Sequence, residues 1–180
     1  MAVSRRRFLK AAIVVGALLA TGSIVALVRT RGYVVPAHRA AAMTTLTPWQ
    51  LVVVENVARR IVAPDRADAP TSDEVDVAAF VDSYMRSMHP ALRRDLVRML
   101  AYVEHLAPIG AGYSSRFTRL GATEQDAVLA AIEASDRDLL RGGFVALESL
   151  VFMGYYRDPR TWAAIGYDGP LVGRPEGGWR

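Results

Sequence analysis

The chain has 180 residues, of which 52% are hydrophobic and 22% charged, so it can bury a core and is not a disordered segment. It contains no cysteine, which excludes thiol nucleophiles, disulfides, iron–sulfur ligation and covalent c-type haem attachment. The net charge of +4 is unevenly placed: residues 1–42 hold seven basic residues and no acid, leaving 15 basic against 18 acidic residues in the rest. Nucleic-acid binding therefore loses its main support.

The N-terminal segment has the pattern of an export signal. A basic stretch precedes an apolar run of 18 residues from Ala11 to Val28, and it resembles a twin-arginine signal. The residues that match the signal and its spacing are Arg5, Arg6, Phe8, Leu9 and Lys10. Because 18 residues also reach the lower limit of about 17 for a membrane span, an uncleaved anchor is the alternative. Ala40-Ala41-Ala42 has the small residues of a cleavage site, so removal and retention of the signal both stay open.

This pattern divides the chain into two parts. Residues 1–42 are predicted to be a twin-arginine signal or membrane anchor plus a linker, and residues 43–180 to be a helical domain. We expect the twin-arginine translocase as one partner, and a location in the periplasm or on the outer face of the cytoplasmic membrane. Since that route carries folded proteins and this chain shows no cofactor motif, the sequence favours a protein that carries another one across.

Three helices are predicted in the first half of the body. Thr47-Pro48-Trp49-Gln50 predicts a capping box and a helix that ends near Val62. Apolar residues at helical spacing predict a second helix, which starts at residues 73–76 and stops at His89-Pro90. The same spacing predicts a third helix that ends at Pro108.

Two longer helices and one short helix are predicted in the second half. Residues 123–126 have the composition of a cap and acidic first turn for a helix that reaches Glu133. Ser135 or Asp136 is predicted to cap a fifth helix. Its pair Gly142-Gly143 indicates either a close approach of another backbone, or a kink or a break into two shorter helices. A short helix is expected over residues 159–164. The predicted fold class is all-α: a compact bundle of five to six helices with an N-terminal signal or anchor helix and an irregular, aromatic-rich C-terminal tail.

The body shows no pattern typical of an active site. His89 and His105 lie 16 residues apart without further ligands at helical spacing, and the serines lack a nucleophile elbow. No glycine-rich turn joins a strand to a helix. We therefore predict no catalytic, cofactor-binding or metal-binding residue in this chain.

Two groups of residues are candidates for contacts with a partner. Arg93, Arg94 and Arg98 form either a solvated helix face or a docking patch for an acidic surface. The tail is rich in arginine and aromatic residues, which are enriched at interface centres. Its candidates are Tyr155, Tyr156, Arg157, Arg160, Trp162 and Tyr167. The alternative is that the tail folds back and fills the core of its own chain.

Two stretches of the sequence are similar to a known family. One is Phe117-Thr118-Arg119-Leu120 followed by residues 124–129, and the other runs from Gly154 through the Asp-Pro pair to residue 170. Together they resemble the small subunit of gluconate 2-dehydrogenase, its subunit 3. The resemblance adds Phe117 and Leu120 to the candidate partner-binding residues.

The resemblance implies a function through a partner. Members accompany a flavoprotein of the glucose–methanol–choline oxidoreductase class, help it to mature, carry it across the membrane and remain in a periplasmic, membrane-bound dehydrogenase. FAD is then expected in the partner and no cofactor in this chain, and a cytochrome c subunit often takes the electrons. Residues 160–163 differ from the Tyr-Gly-Gly-Asn of many members, which leaves the sugar, sugar-acid or alcohol substrate open. The alternative function is an independent membrane-tethered helical module that binds a small ligand or another envelope protein.

Overall fold

The computed structural model describes residues 32–62 and 68–169, and this part of the chain is helical without any strand. The chain divides into a unit of residues 1–34 and a unit of residues 35–180, and every helix described below belongs to the second unit. The predicted all-α fold class is confirmed for these residues. The predicted signal residues Arg5, Arg6, Phe8, Leu9 and Lys10 lie outside the described residues.

Seven α-helices are present among the described residues. They are α1 (Ala37–Ala42), α2 (Pro48–Ile61), α3 (Val77–Ser87), α4 (Pro90–Ala101), α5 (Ala107–Gly110), α6 (Ala122–Glu133) and α7 (Asp138–Tyr156). A π-helical segment, Tyr102–Leu106, joins α4 to α5, and 3-10 turns cover Phe117–Arg119 and Pro159–Ile165. Within residues 32–62 and 68–169, no helix combines the length and apolar character that a bilayer crossing requires.

Helix α2 lies at the centre of the bundle. It begins with the predicted capping box, in which the Thr47 N–H donates to Gln50 Oε1 at 2.8 Å. Its apolar stripe contacts α3, α4, α6 and α7, and Val53, Val54 and Val57 are fully buried. Each such side chain contributes roughly 1.5–3 kcal/mol by leaving water. The predicted first helix is therefore confirmed, and its apolar stripe lies in the core of the fold.

The predicted helix end at Pro108 is wrong. The helical path continues to Gly110 because the chain widens into a π-helical segment before Pro108, which then occupies the first turn of α5. A proline ring is tolerated in a first turn, where its missing N–H has no helical partner. The widened turn removes the conflict that would otherwise end the helix.

Two predicted helix caps are also wrong. The N-cap of α6 is Gly121, whose N–H donates to Glu124 Oε2 at 2.9 Å, so residues 123–126 are already helical. The N-cap of α7 is Arg137 and neither Ser135 nor Asp136. Ser135 instead accepts a hydrogen bond from the Arg137 N–H in the preceding turn.

Helix α7 runs unbroken through its two adjacent glycines. A Cβ atom at Gly143 would lie 3.1 Å from Met99 Sδ, so α7 approaches α4 closely at this point. A Cβ atom at Gly142 would meet open space. Close approach therefore applies to Gly143, and the helix is not broken into two shorter ones at the glycine pair.

Candidate partner-binding surface

The segment after α7 is held by a cap and an arginine. Asp158 accepts the Arg160 N–H at 2.9 Å and begins the 3-10 turn. The Arg160 guanidinium also donates to the Asp158 carboxylate, at 2.7 Å for Nη2, and to the Glu74 carbonyl at 3.0 Å. Hydrogen bonds from Arg160 lower the pKa of Asp158 to about 2. Arg160 therefore fixes the turn to the loop before α3 while remaining exposed.

The predicted tail candidates separate into buried and exposed side chains. Tyr155 is 4% exposed, and its hydroxyl donates to the Pro70 carbonyl at 2.7 Å. Burial raises the pKa of this phenol. Tyr155 therefore fills the core of its own chain, as the second interpretation of the tail predicts.

Three accessible aromatic residues lie at the last residue of α7 and in the segment that follows it. Trp162 Nε1 donates to the Tyr156 carbonyl at 2.7 Å, and the rings of Trp162 and Tyr167 meet edge to face at 5.2 Å. Tyr156 and Tyr167 are exposed and Trp162 is half-buried. We call Tyr156, Trp162 and Tyr167 the aromatic surface. Arg157 lies beside it with its guanidinium 5.4 Å from the Phe80 ring centre, as a cation over an aromatic face.

Phe117 and Leu120 lie in a different part of the bundle. Phe117 is fully buried in the 3-10 turn between α5 and α6, and its carbonyl accepts from Gln125 Nε2 at 3.1 Å. Leu120 is half-buried and packs against the core. The other candidates thus lie at the end of α7 and in the segment after it, whereas Phe117 packs against α2 and α6.

A buried carboxylate holds that second region, which sequence reasoning missed. Glu104, in the π-helical segment, is fully buried and accepts from the Thr118 N–H at 3.1 Å and from Thr118 Oγ1 at 2.7 Å. Arg116 Nε lies 3.5 Å from Glu104 Oε1. A buried charge that is paired and hydrogen-bonded positions a chain segment. The sequence signal would have been an acid on the buried side of a helix.

A second polar site ties the N-terminal end of the body to the bundle. The Arg39 guanidinium donates to both carboxylate oxygens of Asp76, at 2.6 and 2.5 Å, and to Glu55 Oε1 at 3.3 and 3.2 Å. Hydrogen bonds from Arg39 hold the pKa of Asp76 below its usual range. Asp76 has a left-handed backbone, φ 56°, and also caps α3 by accepting the Ala79 N–H.

Asp82 continues this attachment. Its carboxylate, on a residue 3% exposed, accepts the N–H groups of Thr44, Thr45 and Leu46 at 2.7–3.2 Å and the Thr44 hydroxyl at 2.9 Å. Burial raises the pKa of Asp82, but these hydrogen bonds outweigh it and the pKa lies below the ordinary value. We call Arg39, Glu55, Asp76 and Asp82, with residues 37–46, the N-terminal latch.

The latch lies partly in the stretch predicted to be a linker. Val35 and Met43, on either side of α1, pack against the core. Ala40, Ala41 and Ala42, which have the composition of a cleavage site, are helical. No local pattern indicates a pair such as Arg39 and Asp76, because its partners are 37 positions apart.

The described residues contain interface-type and ion-paired side chains and no group of three His, Asp or Glu that could hold a metal ion. Fold and surface together describe a class: a small all-α protein with an accessible aromatic and arginine-rich surface. The model of the family described as gluconate 2-dehydrogenase subunit 3 matches residues 48–169, and the chain belongs to that family. The family resemblance seen in the sequence is thereby confirmed. No curated protein and no solved structure shows significant similarity to the chain.

The matched region covers the bundle from the first residue of α2 to the end of the aromatic surface. Membership of this family is consistent with an accessory subunit of a dehydrogenase complex. The family name implies association with the other subunits of such a complex.

Proposed function

We propose that this chain is the non-catalytic small subunit of a periplasmic, membrane-bound, FAD-dependent dehydrogenase of the glucose–methanol–choline class. It supports the maturation of the catalytic subunit and its export by the twin-arginine route. The observation that carries the proposal is the family match over residues 48–169, joined in one chain to the signal pattern at Arg5 and Arg6. FAD belongs to the catalytic subunit, and a cytochrome c subunit accepts the electrons.

The accessible aromatic surface supports the subunit role. Tyr156, Trp162 and Tyr167 present ring faces and edges that a second protein can cover at low cost in side-chain entropy. Their positions are set by the backbone hydrogen bond of Trp162 and by the Arg160 contacts, so the surface is ordered before a partner binds. A preorganised surface loses less conformational entropy on binding.

The N-terminal latch supports a retained signal. Proteolysis acts on chain segments in their opened state, whereas Ala40–Ala42 lie in a helix that Arg39 fastens to Asp76 and Glu55. Asp82 holds the next three residues that follow Met43. The folded body therefore withholds the cleavage-type residues, and the N-terminal segment stays attached as a membrane anchor.

The export role is tested by changing the signal while keeping its charge. With Arg5→Lys and Arg6→Lys together, we expect the catalytic subunit to be lost from the periplasmic fraction, because lysine keeps the charge but not the guanidinium. The matched control is Arg29→Lys with Arg31→Lys, which lies beyond the apolar run and leaves export unchanged. The measurement is immunodetection of both subunits after cell fractionation. Normal export of the catalytic subunit in the Arg5 and Arg6 variant would contradict the escort role.

A further inference from the structure

An apolar groove runs between α4 and α7 on the outside of the bundle. One cleft of about 330 Å³ is lined by side chains of α3, α4 and α7, and a second of about 240 Å³ by side chains of α4, the π-helical segment and α7. Asp95, Met99 and Gly143 line both, so the two clefts form one groove. We call it the α4–α7 groove.

The groove has the length of a short helix. Its α7 wall extends from Leu139 to Met153, which is about 21 Å, or about four helical turns, at 1.5 Å per residue. Small residues form the middle of that wall, with Gly143 and Ala146 between the larger ends. The methionines Met99 and Met153 have flexible thioether side chains that adapt to an incoming surface.

Large apolar side chains at the groove are left in contact with water. Leu139 is 87% exposed, Leu92 61% and Met153 44%. All α7 residues that line the groove are uncharged. Contiguous exposed apolar surface of this kind marks an interaction site.

The two walls differ in charge. The α4 wall carries Asp95 and Arg98, joined at 2.8 Å and both well exposed, and Arg98 continues into a shallow patch with Arg93 and Arg94. Among the described residues, Arg93 and Arg94 have no acidic partner within ion-pair distance. On this edge, Arg98 lines the groove and Arg94 lies one turn before it, so two arginines face one carboxylate, whereas the α7 residues of the groove carry no charge.

We propose that the α4–α7 groove binds an amphipathic helix of the catalytic flavoprotein subunit, with its apolar face in the groove and acidic residues along the edge that faces α4. The apolar walls define the face, and the arginines select carboxylates on one side only. The inference rests on the proposed function, since it assigns a surface to that partner. It adds a docking site separate from the aromatic surface.

The test uses the full-length tagged chain purified from membranes of its host, with the flavin absorbance per chain as the readout. Ala146→Glu places bulk and charge on an exposed position in the middle of the α7 wall, and Ala131→Glu makes the same change on the exposed face of α6. We expect Ala146→Glu to lower the bound flavoprotein at least about 30-fold, as the loss of a central contact does. Ala131→Glu is expected to bind like the wild type.

Two further variants separate the apolar from the charged contribution. Leu92→Ser removes exposed apolar surface without adding charge. It replaces Ala146→Glu in the test if circular dichroism shows that Ala146→Glu disturbs the fold. Arg94→Glu is expected to weaken binding about 3- to 10-fold and to reduce its salt dependence, while Arg119→Glu, another exposed arginine, leaves both unchanged.

The outcomes distinguish the two proposals. A yellow wild type with a colourless, folded Ala146→Glu variant supports the groove. A wild type and a variant that are equally yellow overturn the groove and leave the subunit role intact. A colourless wild type overturns the subunit role and the groove with it. A change from dimer to monomer in Ala146→Glu with full flavin content assigns the groove to a second copy of this chain and overturns the inference.

Discussion

The N-terminal latch and the α4–α7 groove differ in the chemistry of their side chains and in how much of them is exposed. In the latch, charged side chains bind backbone N–H groups and each other, so that residues 37–46 are held in one place. In the groove, apolar side chains remain exposed and only one ion pair is present. The charged groups of the latch find their partners within the chain, whereas the groove leaves Leu92, Leu139 and Met153 exposed.

The largest effect is expected from the carboxylate at the centre of the latch. Asp82→Ala should lower the free energy of unfolding by about 3 kcal/mol, because three N–H groups lose a charged acceptor in a poorly hydrated site. Asp82→Asn keeps the volume and one acceptor oxygen and should cost about half as much. Urea unfolding monitored by circular dichroism measures both. If Asp82→Ala lowers the free energy of unfolding by less than about 0.5 kcal/mol, the latch does not stabilise the fold.

The same carboxylate makes a prediction for pH. The folded-state pKa of Asp82 is below the ordinary value of 3.8, so its contribution is fully present above pH 3.8 and is lost as the pH falls through the folded pKa. The difference in unfolding free energy between the wild type and Asp82→Asn should therefore be constant near neutral pH and shrink below pH 3.8. A difference that grows on acidification would contradict this assignment.

A smaller loss of unfolding free energy is expected for a change at Arg39, together with cleavage of the chain near residues 40–42. Arg39→Ala should cost about 1 kcal/mol, since Asp76 is 40% exposed and solvent screens the pair. It should also free residues 40–42, so that a chain shortened at this segment appears by mass spectrometry where the wild type keeps its N-terminal residues. Arg60→Ala, which removes a two-bond arginine–aspartate pair with Asp126 outside the latch, is the matched control and should leave the N-terminus intact. Equal processing of wild type and Arg39→Ala would remove the protective role from the latch.

The smallest effects are expected at two glycines of α7, Gly154 and Gly142, which differ in the space around them. A Cβ atom at Gly154 would lie 3.0 Å from Phe80 Cδ1 and 3.1 Å from Val77 Cγ1, and Val77 is fully buried, so Gly154→Ala should destabilise the fold by about 1 kcal/mol. At Gly142 the space is open, and alanine should add about 0.5–1 kcal/mol of stability through helix propensity. Thermal unfolding of both variants gives the signs. Stabilisation by both would mean that α7 packs against α3 less tightly than the structure indicates.

The helices could be predicted because their physical causes are local. Helix α2 follows from Thr47 and Gln50 and from apolar residues at 3.6-residue spacing, and the end of α3 follows from His89-Pro90. Pro108 misled the prediction because a π-helical segment four positions earlier changes which carbonyls the proline ring meets. No local pattern of the sequence predicts the π-helical segment.

The polar sites could not be predicted because each joins distant parts of the chain. Arg39 and Asp76 meet across 37 positions, and Asp82 and Leu46 across 36. A single sequence shows the acids, but it does not show which backbone N–H groups they will face. The tail candidates were predicted as a set from composition, and only packing could separate the buried Tyr155 from the exposed Tyr156 and Tyr167.

The central claim, that the chain is the small subunit of a flavin-dependent dehydrogenase, is tested most directly by purification of the full chain from solubilised membranes through a C-terminal tag. The measurement is the visible absorption spectrum of the product together with mass identification of every copurifying protein. We expect a yellow complex that contains a flavoprotein of the glucose–methanol–choline class in fixed ratio to this chain. A colourless protein that purifies alone would contradict the subunit role and favour an independent membrane-tethered binding module.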